Sequence, residues 1–135
     1  VLSILKVSKL IETNFLTINA DATLGDLVKV IAKSKRNIIP VIDEKDTLLG
    51  IVFINDIREI MFKREMYDKV KVHELMFMPS PLVSPEESME DVALKFKVSN
   101  HYNLPVVDQG KYVGFVSRAN VFSAYRNLLK KFSED

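Results

Sequence analysis

Two seven-residue stretches carry the side chains best placed for chemistry: Gly50-Ile51-Val52-Phe53-Ile54-Asn55-Asp56 and Gly114-Phe115-Val116-Ser117-Arg118-Ala119-Asn120. Each opens on Gly, continues through two apolar residues and ends on Asp or Asn. Each is expected to join a strand to a helix N-terminus. Free backbone N–H groups and the helix dipole make such a junction a natural seat for an anion. A hydroxyl at the fourth position, Ser117, can donate to an anionic oxygen. A carboxylate at the seventh, Asp56, can accept from two neighbouring hydroxyls. The first copy has Phe53 in place of the hydroxyl, and the second has Asn120 in place of the carboxylate. These residue types also serve as ordinary helix caps, Ser117 and Asn120 for the last helix and Asp56 for an earlier one.

Nothing else in the chain assembles chemistry. His73 and His101 stand singly, without partners at metal-ligand spacing. There is no Gly-rich phosphate loop and no nucleophile–base arrangement. The 135 residues contain no Cys, which removes disulfides and thiolate metal sites. A formal net charge of +1 gives no electrostatic reason to expect nucleic acid. No apolar run approaches the ~20 residues of a membrane span. The chain opens on Val1 rather than Met, as a piece of a longer protein would.

The elements that position the heptads occur twice. Displaced by 65 residues, the segment 6–43 falls on 71–108 without a gap, and eight of 38 positions are identical, among them Lys6-Val7, Pro40-Val41 and Asp43. Beyond it Gly50 falls on Gly114. Each copy reads as a short extended segment (Leu16 to Ile18; Leu82-Val83), a helix, two strands and a second helix. Thr23 with Asp26, and Ser88 with Asp91, resemble capping boxes. Leu24, Leu27, Val28 and Ile31, like Met89, Val92, Ala93 and Phe96, keep the i, i+3, i+4, i+7 spacing of one helix face. The strands are expected at Ile38 to Ile42, Leu48 to Phe53, Leu104 to Val107 and Tyr112 to Val116. Pro40 and Pro105 argue for an edge position or a strand start. The closing helices are expected over Asp56 to Phe62 and from Asn120 to about Phe132. A basic amphipathic stripe on the latter fits packing against the module better than a membrane surface.

The expected organisation is a first repeat at 1–62, a charged, flexible connector at 63–71 and a second repeat at 72–135. One repeat of ~60 residues has a poor core-to-surface ratio. The fold expected is therefore α+β, a single module of two pseudo-symmetric β-α-β-β-α repeats packed sheet to sheet.

This order of elements, the Pro-Val pair before each hairpin and the doubled Gly heptad resemble a tandem pair of CBS (cystathionine-β-synthase) domains over nearly the whole chain. The stretch NDIREIMFKREMYDKVKVHELM (55–76) and the ending FSAYRNLLKKFSED resemble the cytoplasmic tails of prokaryotic ClC-type chloride channels and transporters. The resemblance implies a regulatory module without catalysis, on the cytoplasmic side of the cell membrane as part of an integral membrane protein. It implies a homodimer joined to a membrane-embedded transport domain of the same chain, and AMP, ADP or ATP as ligand in a cleft between repeats. The second site is favoured, because Phe53 offers no hydrogen bond whereas Asn120 can still hold a ribose; by the same resemblance its lining would be Leu82 and Val83 for the base, Tyr102, Leu104 and Pro105 beside it, Ser117 for phosphate and Asn120 for ribose, with Arg118 as an added cation in reach of a phosphate. The weaker first site would use Ile39, Pro40 and Asp56. Two other readings stand beside this one: a CBS pair of another transporter or enzyme, and a ligand-free dimerisation scaffold.

Overall fold

The structure, a computed structural model, describes residues 5–133, so the outermost residues of both repeats lie outside the described residues. Its elements run β1 (Ile18–Asn19), α1 (Leu24–Lys33), β2 (Ile38–Ile42), β3 (Leu48–Phe53), α2 (Met89–Ser99), β4 (Asn103–Asp108), β5 (Lys111–Ser117) and α3 (Arg118–Ser133), with short 3-10 turns between them. Strands β1, β2 and β3 form one sheet in that order, and β4 and β5 form another.

The chain makes two compact units, and neither coincides with a sequence repeat. Of the described residues, one holds 14–79 and 110–112; the other holds 5–13, 80–109 and 113–133. Each repeat lends its lead-in to the unit built on the other. Met89 N–H, at the start of α2, donates to Leu5 O (2.6 Å), and Val7 N–H to Glu87 O (3.0 Å). The equivalent set in the other unit is Leu24 N–H to Val70 O (2.8 Å) and Val72 N–H to Ala22 O (2.9 Å). A free N–H group at each helix start is thus satisfied by the chain that leads into the other repeat. The segment 63–71, expected as a flexible connector, is fastened to α1 through Val70 and through Tyr67 O, which accepts from Gly25 N–H at 3.2 Å.

Within the unit of the first repeat, Leu24, Leu27, Ile39, Val41, Val52, Val70 and Val72 form the core, with Met61, Met66 and Met76 packed around it. The helix cap is as expected: Thr23 Oγ1 accepts from Asp26 N–H at 3.1 Å and Asp26 Oδ2 accepts from Thr23 N–H at 3.0 Å. Those bonds to Thr23 hold the Asp26 carboxyl below its ordinary value. In the β2–β3 turn Asp43 is likewise held low, chiefly by Thr47 N–H.

Strand β2 is the central strand of its sheet, not an edge, and Pro40 lies in its middle. Pro40 faces Ile51, whose N–H donates to Phe77 O (2.8 Å) and whose carbonyl accepts from Phe77 N–H (3.0 Å). Ile51 directs both groups away from β2, so no donor is asked of Pro40 there. On the other side β1 pairs only with Val41 and Ile42. Pro105 survives similarly, offering its carbonyl to Val83 N–H at 2.9 Å.

The helix expected over Asp56 to Phe62 does not form. A 3-10 turn at Ile54–Ile57 is followed by irregular turns. The stretch is too short to carry a helix by propensity, its start at Phe53 has no side-chain cap, and Tyr67 Oη takes the Met61 carbonyl at 2.7 Å. In the other unit Val7, Val83, Val92, Phe96, Leu104, Val106, Val116 and Val121 form the core. The closing helix α3 does form, beginning two residues earlier than expected. Its first half packs on this core through Val121, Phe122 and Tyr125, while Leu129 and Phe132 are exposed.

Candidate functional site

The heptad glycines answer to backbone, not to a ligand. Glu12 pairs with Phe115: Glu12 N–H donates to Phe115 O at 2.8 Å and Phe115 N–H to Glu12 O at 2.9 Å. A Cβ on Gly114 would lie 2.3 Å from Glu12 O. In the other unit a Cβ on Gly50 would lie 3.0 Å from Phe77 O. Only Gly lets the lent segment run this close to β5, and the first copy is slightly roomier.

Past the glycines both junctions begin alike. Arg118 N–H donates to Tyr102 O (2.8 Å), and Ile54 N–H donates to Asn37 O (3.0 Å). There the copies diverge. Ser117 Oγ accepts from Asn120 N–H at 3.1 Å, an N-cap bond for α3. An accepting hydroxyl keeps its own proton, so the cap leaves Ser117 a donor for a ligand oxygen. Phe53 has no such group, and its ring lies 5.4 Å from that of Phe77.

Arg118 is anchored within the protein. Its Nε donates to His101 O at 2.9 Å and an Nη donates to Phe96 O, near the C-terminus of α2, where free carbonyls favour a cation. The guanidinium also stands over the Phe96 ring, 5.8 Å from its centroid. The residue expected simply as a phosphate cation therefore also ties α2 to α3. Asn120 is exposed, and its amide donates to Glu12 Oε1 at 3.4 Å.

An open depression of about 580 Å³ at this junction is lined by Tyr102, Asn103, Ser117, Arg118, Ala119, Phe122 and Arg126. It brings together three of the eight residues expected for the second site: Tyr102, Ser117 and Arg118. Val83 and Leu104 are 1% and 0% exposed and belong to the core of their unit. Pro105 is buried beside them. Leu82 is exposed, and its carbonyl accepts from Lys95 Nζ at 2.7 Å. In the other unit Ile39 and Pro40 are buried and Asp56 is exposed. Phe122 and Arg126 were not expected here; their signal was helical spacing, three and seven residues beyond Ala119. Nothing in sequence spacing pointed to Glu12 beside Asn120.

Two stretches of the chain, 7–63 and 72–127, match the model of the CBS domain. Among curated proteins it is 32% identical over 107 residues to inosine-5'-monophosphate dehydrogenase of Bifidobacterium longum, covering 78% of this chain and 19% of that enzyme. The chain spans 19–24% of the length of the first curated relatives it matches. Among solved structures, CBSX2 in complex with AMP is similar at a TM-score of 0.71 and 29% identity, over 92% of this chain and 98% of that one. The CBS domain of a bacterial CNNM/CorC family Mg²⁺ transporter in complex with ATP reaches a TM-score of 0.75 at 18% identity, over 90% and 87%. With the element order seen twice and the family model matched twice, the chain belongs to the CBS domain family, as a tandem pair.

Proposed function

We propose that this CBS pair is a nucleotide-sensing regulatory module without catalysis, with the α3 junction as its adenine-nucleotide site. The observation that carries the reading is the convergence of Ser117, Arg118 and Tyr102 on one depression. A hydroxyl with a proton to donate and a guanidinium suit a phosphate, and exposed Tyr102 suits a base. The similar CBSX2 and transporter structures hold AMP and ATP. The parent we propose is a ClC-type chloride channel or transporter, on the resemblance of 55–76 and of the C-terminal stretch. No helix among the described residues is long and apolar enough to cross a membrane, so the transport domain would be a separate part of the same polypeptide. Regulation would work by linkage: nucleotide shifts the attached pore by no more than its differential affinity for the two states.

A thermal-shift series with AMP, ADP and ATP tests the site. A ligand at roughly 100 times its dissociation constant adds about 2.7 kcal/mol, and Ser117→Ala should reduce that gain. No shift with any of the three would sink the nucleotide reading. It would favour a ligand-free homodimerisation scaffold, which the exposed Leu94 and Val98 on α2 recommend. The full reading frame tests the parent: one without membrane spans would remove the channel.

A further inference from the structure

We infer that Arg126 makes the α3 depression selective for nucleoside di- and triphosphates over monophosphates, an inference that rests on the nucleotide reading above. The lining contains two guanidiniums and no carboxylate, in a chain whose charges otherwise nearly cancel. The two cations are not equivalent. Arg118 is committed to the carbonyls of His101 and Phe96, which fixes its place beside Ser117. Arg126 is exposed on α3. It follows Ala119 and Phe122 on one face of the helix, at seven and four residues' distance. Seven residues advance an α-helix by about 10 Å. Side chains lean toward the helix N-terminus, so Arg126 reaches back over the depression toward Ser117.

A single phosphate seated at Ser117 and Arg118 would stop short of this second cation. A chain of two or three phosphates, running along α3, would extend into its reach.

Isothermal titration of wild type, Arg126→Gln and Arg126→Lys with magnesium-free AMP, ADP and ATP tests this. Wild type should bind ADP and ATP more tightly than AMP. Arg126→Gln should weaken ADP and ATP roughly three- to fivefold, the upper scale of one exposed charge contact, and leave AMP within about twofold. Arg126→Lys should keep most of the preference, which should shrink as salt rises. An unchanged melting temperature without nucleotide confirms that the variants fold. Equal affinity of wild type for all three nucleotides overturns the inference and leaves the site standing, as does an equal loss for AMP and ATP in Arg126→Gln. Absence of binding by any nucleotide overturns the site itself and the inference with it.

Discussion

The two heptads start from the same backbone bonds and end differently, and the fourth residue of each is one source of the divergence. After Gly50 the chain reaches Phe53, which has no oxygen to offer, and the backbone makes a 3-10 turn. After Gly114 it reaches Ser117, which takes the Asn120 N–H, and a sixteen-residue helix follows. The hydroxyl that a nucleotide would use is also the group that starts the helix. With Phe53 in its place, the first copy lacks both a potential phosphate donor and a helix cap. Loss of an N-cap alone is worth ~1 kcal/mol. That is decisive for a stretch with a short apolar face, and minor for α3, which buries Val121 and packs Phe122 and Tyr125 on the core.

The glycines should separate the copies most sharply. Gly114→Ala drives a Cβ to 2.3 Å from the Glu12 carbonyl, and Gly50→Ala to 3.0 Å from that of Phe77. Overpacking against backbone costs ~1–3 kcal/mol. Gly114→Ala is expected at or above the top of that range and Gly50→Ala near the bottom, read as shifts in denaturant midpoint. Equal losses would show that the lent segment is held no more tightly in one unit than in the other.

Next in size is Arg118→Met. It keeps the apolar stem and removes donors from the Phe96 and His101 carbonyls, at a cost of up to ~2 kcal/mol for charge-assisted bonds. Ile54, its counterpart after the first heptad, has no such task, and Ile54→Met should stay within the ~1.5 kcal/mol of a conservative apolar exchange. Ser117→Ala should cost about 1 kcal/mol and lower the helical circular dichroism signal. Phe53→Ala, which removes no cap, should leave that signal unchanged.

The smallest effect is on acid stability. The Asp26 carboxyl is held below its ordinary value of 3.8, first by Thr23 N–H. A lowered folded value means that its stabilisation is complete above the unfolded value and is lost as pH falls through the folded one. Asp26→Asn should therefore flatten the fall in stability below about pH 4 and change little at neutral pH beyond the loss of the cap. Asp43, held low by Thr47 N–H, should behave alike. A carboxyl titration of Asp26 by NMR at the ordinary value would break this prediction.

Much of this architecture was legible in the residues. The repeat, the capping pairs Thr23–Asp26 and Ser88–Asp91, both hairpins and the buried faces of α1 and α2 all follow from bonds or spacings within a few positions. The helix expected at Asp56 to Phe62 was misread because apolar residues at helical spacing do not reveal a missing cap or a carbonyl taken by Tyr67. Pro40 suggested an edge strand because the outward turn of Ile51 depends on Phe77, far from both in sequence. Of the candidate site, the junction residues Ser117 and Arg118 were legible. That Val83 and Leu104 are core was not, since an apolar residue beside a proposed pocket reads the same whether it lines the pocket or supports it.

The sequence by itself determined that there would be two similar copies, where α1 and α2 would start and which of their residues would meet the core, because those choices are made by short-range hydrogen bonds and by the periods of helix and strand. Only the tertiary structure decided that each lead-in serves the other repeat's unit, that Gly114 faces the Glu12 carbonyl and that Arg118 is bound to α2. These depend on groups about 20 to 100 residues apart, whose approach is set by burial of whole faces and leaves no mark in local spacing.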